Sequence, residues 1–171
     1  GFILACLISF HVDEPADDCK QDLVFQENEK LSDKRAKTYK ENLTMYFQRS
    51  FVGGSWNSLI MPVSLTKAQF TQAFGETAKL AQANKVYEAN NGNLIIGFSL
   101  VEETDAQSPY LVANKPYIIK PTKEPLANCE YTVGGSTQTL EGNIYLANGI
   151  SYADETGNLK HSDKGNSNRR N

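Results

Sequence analysis

Trp56 is the only tryptophan in the chain, and Tyr110, Tyr117, Tyr131, Tyr145 and Tyr152 lie in later apolar segments. Rings of this kind join a flat apolar face to a polar edge, the chemistry that stacks on sugars. Trp56, Tyr110 and Tyr117 are therefore the candidate ligand-binding residues, if the fold gathers them on one sheet face. The competing reading is packing. Trp56 sits in an apolar run beside a turn, and strand tyrosines commonly fill edges and cross-strand pairs.

Carboxylates supply a second set of candidates. Glu102, Glu103 and Asp105 share one polar segment, and Asp154 and Glu155 follow Tyr152. Neither group has the D-x-D-x-D-G spacing of a calcium loop. Glycoside hydrolysis needs two carboxylates roughly 5 to 10 Å apart in a cleft, and nothing here nominates such a pair. Gly53-Gly54 lacks the Lys-Ser/Thr partner of a phosphate loop. The cysteines are Cys6, Cys19 and Cys129, with no C-x-x-C pair. With His11 near the start and His161 in a polar tail, no Cys/His dyad or zinc cluster is credible. No catalytic residue, metal ligand or cofactor is nominated.

The whole-chain numbers narrow the partners. A chain of 171 residues with 40% hydrophobic and 22% charged composition suits one globular domain. Its net charge of −3 argues against nucleic acid, whose affinity comes largely from Lys and Arg displacing counterions. Lys34, Arg35, Lys37 and Lys40 do bunch, but Glu27, Glu29, Asp33 and Glu41 dilute them. Glycans or other surface proteins are the expected partners.

The opening GFILACLISF is apolar throughout but far short of the ~20 residues that span a bilayer, so no membrane span is expected. It matches the apolar middle of a secretory signal peptide, with a first strand of the fold as the alternative. Ile3-Leu4-Ala5-Cys6 loosely resembles a lipoprotein signal, yet Leu7-Ile8 continue the apolar run where such signals turn polar. Export to the surface, the periplasm or the medium is expected, without lipidation. Cys19 and Cys129 then either pair in an oxidising compartment or stay as free thiols.

The elements that would hold these residues are mostly strands. Residues 1–21 are an expected leader and connector, 22–160 one domain, and 161–171 a polar tail expected to be disordered. Asp22 to Gln26 suits an edge strand. Leu43, Met45 and Phe47 alternate with Thr44, Tyr46 and Gln48, the period of a half-buried strand. Asn42-Leu43-Thr44 is a glycosylation sequon, with no modification as the default. After the break at Gly53-Gly54-Ser55, a strand is expected from Trp56 to Val63, which should end or lie at a sheet edge at Pro62.

Thr66 and Gln69 have capping-box spacing, and Leu65 with Phe70 has that of a hydrophobic staple. A short helix is predicted over Lys67 to Phe74, stopped by Gly75. Lys79 to Glu88 and Leu94 to Val101 flank Asn90-Asn91-Gly92-Asn93, a hairpin whose second strand is apolar enough to be central. Short strands follow at Tyr110–Val112, Tyr117–Lys120 and Cys129–Val133. Asn148-Gly149 between Ile144–Leu146 and Ile150–Tyr152 predicts a further hairpin. The expected fold is an all-β antiparallel sandwich, immunoglobulin- or jelly-roll-like, with one short inserted α-helix near 67–74.

Arg49-Ser50-Phe51, Trp56-Asn57-Ser58-Leu59 with Pro62, and Ala73-Phe74-Gly75 resemble motifs of a secreted and cell-surface module of Bacteroidetes bacteria. Asn114-Lys115-Pro116-Tyr117-Ile118-Ile119-Lys120-Pro121 resembles that module's P-Y-L-I-K-P strand. The resemblance spans Asp22 to Pro121. It departs at Ser58, Met61, Val63 and Asn114, and fades after Pro121. It implies a non-catalytic exported module of structural or adhesive use and transfers no catalytic residue. The alternative is a carbohydrate-binding module using Trp56 and strand tyrosines.

Overall fold

The computed structural model describes residues 22–29 and 40–152. The expected leader, the polar tail, Cys6, Cys19, His11, His161, Asp154 and Glu155 lie outside the described residues.

Two four-stranded sheets face each other as an all-β sandwich. The first holds β1 (Leu23–Phe25), β2 (Lys40–Gln48), β8 (Ser136–Tyr152) and β7 (Leu126–Val133), in the order β1-β2-β8-β7. The second holds β3 (Asn57–Leu59), β6 (Tyr117–Lys120), β4 (Lys79–Glu88) and β5 (Leu94–Leu100), in the order β3-β6-β4-β5. Every pairing is antiparallel except β1 with β2. The predicted edge strand at Asp22–Gln26 is thus β1, at an edge.

Alternation sorts each strand by face. Met45 and Phe47 of β2, Tyr145 and Ala147 of β8, and Leu80 and Ile119 of the opposite sheet are buried in one core. The other face of the first sheet carries a small second core of Val24, Leu140 and Ile144, flanked by Tyr46, Cys129 and Tyr131. Asp22 draws this sheet into a curl. Its N–H donates to Thr132 O, and its carboxylate accepts from Thr132 N, each at 2.9 Å. That links the β1 edge to the β7 edge.

The helix α1 (Lys67–Phe74) is the one helix among the described residues and has the predicted bounds. Thr66 Oγ1 accepts from Gln69 N at 3.2 Å, while Gln69 Oε1 accepts from Thr66 N at 2.9 Å. Eight residues are too few to hold a helix alone, so packing must supply the rest. Phe70, Ala73 and Phe74 are buried in the main core, and each phenylalanine is worth about 1.5–3 kcal/mol of transfer free energy.

Four strand expectations change. The strand predicted from Trp56 to Val63 shortens to β3, and residues 61–64 run through the core without strand pairing. Buried backbone needs partners. Residues 110–114 supply them: Leu65 N donates to Leu111 O at 2.9 Å, and Asn114 N donates to Met61 O at 2.8 Å. The buried Ser64 hydroxyl accepts from Ala113 N at 2.9 Å. The strand predicted at Tyr110–Val112 is accordingly a single bridge, Leu65 to Leu111.

Asn148-Gly149 turns no hairpin. β8 runs straight through it as one strand of 17 residues. Leu43 pairs with Ile150 and Met45 with Ala147, so β8 carries one extra residue there, a bulge. Gly149 takes a φ of 72°, which suits glycine. Lastly, Leu94–Leu100 is an edge strand rather than a central one, because β5 pairs only with β4.

Candidate functional site

The three candidate aromatics are not brought together. Trp56 is 43% exposed, whereas Tyr110 and Tyr117 are 6% and 4% exposed. Tyr110 Oη donates to Val101 O at 3.1 Å, its ring contacts Phe70, and Lys67 Nζ lies 4.4 Å from its centroid. Tyr117 Oη accepts from Val112 N at 2.9 Å, and burial pushes its phenol pKa up. Both rings pack the core and present no face to a ligand. Tyr145 and Tyr152 are buried too, and Tyr131 lies beside Tyr46, ring centroids 6.1 Å apart. Burial, then the Asp22 carboxylate, raises the Tyr46 pKa.

The acidic loop is a folded turn. Asp105 Oδ1 accepts from Gln107 N and Ser108 N at 2.8 Å, and Oδ2 from Ser108 Oγ at 2.6 Å. These donors hold the carboxyl below its ordinary pKa, the Ser108 hydroxyl foremost. Among the described residues, no three His, Cys, Asp or Glu side chains gather closely enough to hold a metal ion. Cys129 is a half-buried free thiol whose pKa burial raises.

Trp56 is positioned by the segment that leads into β3. Asn57 Oδ1 accepts from Val52 N at 2.9 Å, and Asn57 Nδ2 donates to Val52 O and Ser55 O. Arg49 lies over the Phe51 ring at 4.8 Å and donates to Ser58 O at 3.0 Å. Phe51 in turn packs edge-on against Phe74 and Tyr145. The motif residues thus fix a turn that leaves the indole out.

The outer face of the second sheet adds two cations. Asn57, the first residue of β3, pairs with Ile119, and Trp56 stands one residue before it, where one further step of that register would set it opposite Lys120. Lys120 pairs directly with Lys79. Ile119 and Leu80 point into the core, and alternation therefore turns Lys120 and Lys79 outward. Gly54, Thr77, Pro121 and Thr122 line a shallow cleft of about 290 Å³ with the two lysines. Thr77 Oγ1 bonds Thr122 Oγ1 at 3.0 Å along this wall.

At the other edge of this sheet, the β4–β5 hairpin is apolar and open. Leu94, Ile96, Phe98 and Leu100 share one face of β5 and are 46–71% exposed. Val86 pairs with Ile96 on that face, and Tyr87 with Ile95 on the opposite one. All seven are exposed. Sequence reasoning nominated neither this hairpin nor the lysines. The available signal in Leu94–Leu100 was seven residues without a charge or proline to guard an edge. No helix among the described residues is long and apolar enough to cross a membrane.

No family model matches the chain, and no curated protein and no solved structure matches it either.

Proposed function

We propose that the chain is a non-catalytic structural and adhesive module of an exported surface or periplasmic protein, and that it associates with a second copy of itself through β5. The exposed β4–β5 hairpin carries this reading. An edge strand presents unpaired N–H and C=O groups, and soluble proteins usually guard such edges with lysine, proline or a short length. β5 has none of these guards.

A second copy is the partner that the geometry favours. Antiparallel pairing of β5 with its own counterpart is self-complementary about a two-fold axis. Leu94, Ile96, Phe98 and Leu100 share one face of β5 and would meet their counterparts across the seam, extending one apolar surface over both copies. The resemblance of Arg49–Phe51, Trp56–Leu59 and Asn114–Pro121 to a surface module supports the exported setting.

Sedimentation velocity tests the association. The expected result is a dimer that Ile96→Lys and Phe98→Lys each convert to monomer with an unchanged far-UV spectrum. A wild-type chain that stays monomeric at all concentrations would overturn it. A second reading, saccharide binding at Trp56, is favoured by the exposure of that indole.

A further inference from the structure

The row Trp56–Lys120–Lys79 on the second sheet combines an exposed aromatic ring with two cations that have no anion between them. Adjacent strands lie about 4.8 Å apart, so the row spans roughly 10 Å, the length of about two sugar rings. Lys79 and Lys120 stand directly opposite each other on β4 and β6. Like charges in that position destabilise a sheet. Neither lysine has an ion-pair partner among the described residues. Nearby Lys123, by contrast, is engaged, donating to Gln72 O at 2.7 Å.

The geometry points to a binding site for an acidic saccharide, one whose ring stacks on Trp56 while its carboxylate or sulfate group lies between Lys79 and Lys120. This inference rests on the saccharide reading of Trp56 and deepens it by naming the charged class. Three features favour a saccharide over a polynucleotide. The chain carries a net charge of −3, the site offers one ring rather than a series, and two threonine hydroxyls line the cleft beside the lysines. A polynucleotide would want a longer basic track with several stacking rings. Stacking on an indole is tolerant of sugar identity, so selectivity would come from the two lysines. Their charge-assisted hydrogen bonds are stronger than neutral ones and weaken as salt rises.

Since Trp56 is the only tryptophan, its fluorescence reports on this site without labelling. The full chain is titrated with heparin, polygalacturonate, neutral dextran and oligo-dT. Heparin or polygalacturonate should quench and shift the emission while dextran does not. Response to heparin alone assigns a sulfate, and response to polygalacturonate assigns a carboxylate. Lys79→Gln with Lys120→Gln should weaken that binding at least tenfold. Trp56→Ala, followed by retention on immobilised heparin or polygalacturonate, should do the same. Response to dextran alone keeps the saccharide reading and overturns its charge. Silence toward all four probes overturns both, and so does tightest binding to oligo-dT. Binding that survives the double lysine change overturns the assignment of the cations.

Discussion

Gln72 of α1 accepts a hydrogen bond from the backbone N–H of Asn148 at 2.9 Å, across the bulge in β8. One turn earlier, Gln69 Nε2 donates to Gly149 O at 2.9 Å and to Asn148 O at 3.3 Å. Thr44 Oγ1 meets Asn148 Oδ1 at 3.1 Å from the neighbouring strand. A bulge frees backbone groups from the ladder, and here two helix glutamines satisfy them. The helix and the bulge thus stabilise each other.

Gln72→Ala should therefore cost about 0.5–1.5 kcal/mol, the net worth of one hydrogen bond, because the exposed Asn148 N–H can turn to water instead. Gln69→Ala should cost as much or more, since it also removes half of the capping box. Urea denaturation of both single variants and the double variant measures this. A double variant less destabilised than the sum of the two is the expected sign of a shared bulge.

Gly75→Ala tests the end of the same helix. Gly75 has a φ of 120°, and a Cβ there would come within 2.8 Å of Lys123 N, a backbone atom with little room to move. Thr122 N and Lys123 N both donate to Phe74 O at 2.9 Å, so this junction ties α1 to the end of β6. A loss of about 2–4 kcal/mol is expected from positive φ and overpacking together. An unchanged denaturation midpoint would refute that account of the junction.

Asp105 makes a pH prediction. Its carboxylate accepts three hydrogen bonds, so the ionised form is favoured in the folded chain and its pKa lies below the ordinary 3.8. The stabilisation is fully present above that ordinary value and fades as pH falls through the lower, folded one. At neutral pH the loop should be unaffected by small pH changes. An NMR titration should show Asp105 below 3.8, and Ser108→Ala should move it upward, since that hydroxyl is the strongest of its donors.

Local chemistry made much of this fold legible. Thr66, Gln69 and Gly75 marked α1 because caps act within a few residues of sequence. Asn91-Gly92 marked the β4–β5 turn, where Gly92 takes a φ of 86°. Asn148-Gly149 carries the same local signature but belongs to a bulge. Only the glutamines of α1, remote in sequence, decide between the two. Leu94–Leu100 reads as a central strand because an apolar run does not say which strands lie beside it. Tyr110 and Tyr117 looked available because a tyrosine's burial depends on whether a backbone group meets its hydroxyl. Trp56 shows the reverse: an apolar neighbourhood in sequence around an indole that the Asn57 turn leaves exposed.

The central claim is that β5 completes its sheet with a second copy. Amide hydrogen exchange across Leu94–Leu100 at low and high protein concentration tests it most directly. Slower exchange at high concentration is expected in the wild type, and none of that slowing in Ile96→Lys. Fast exchange through β5 that does not depend on concentration would contradict the account.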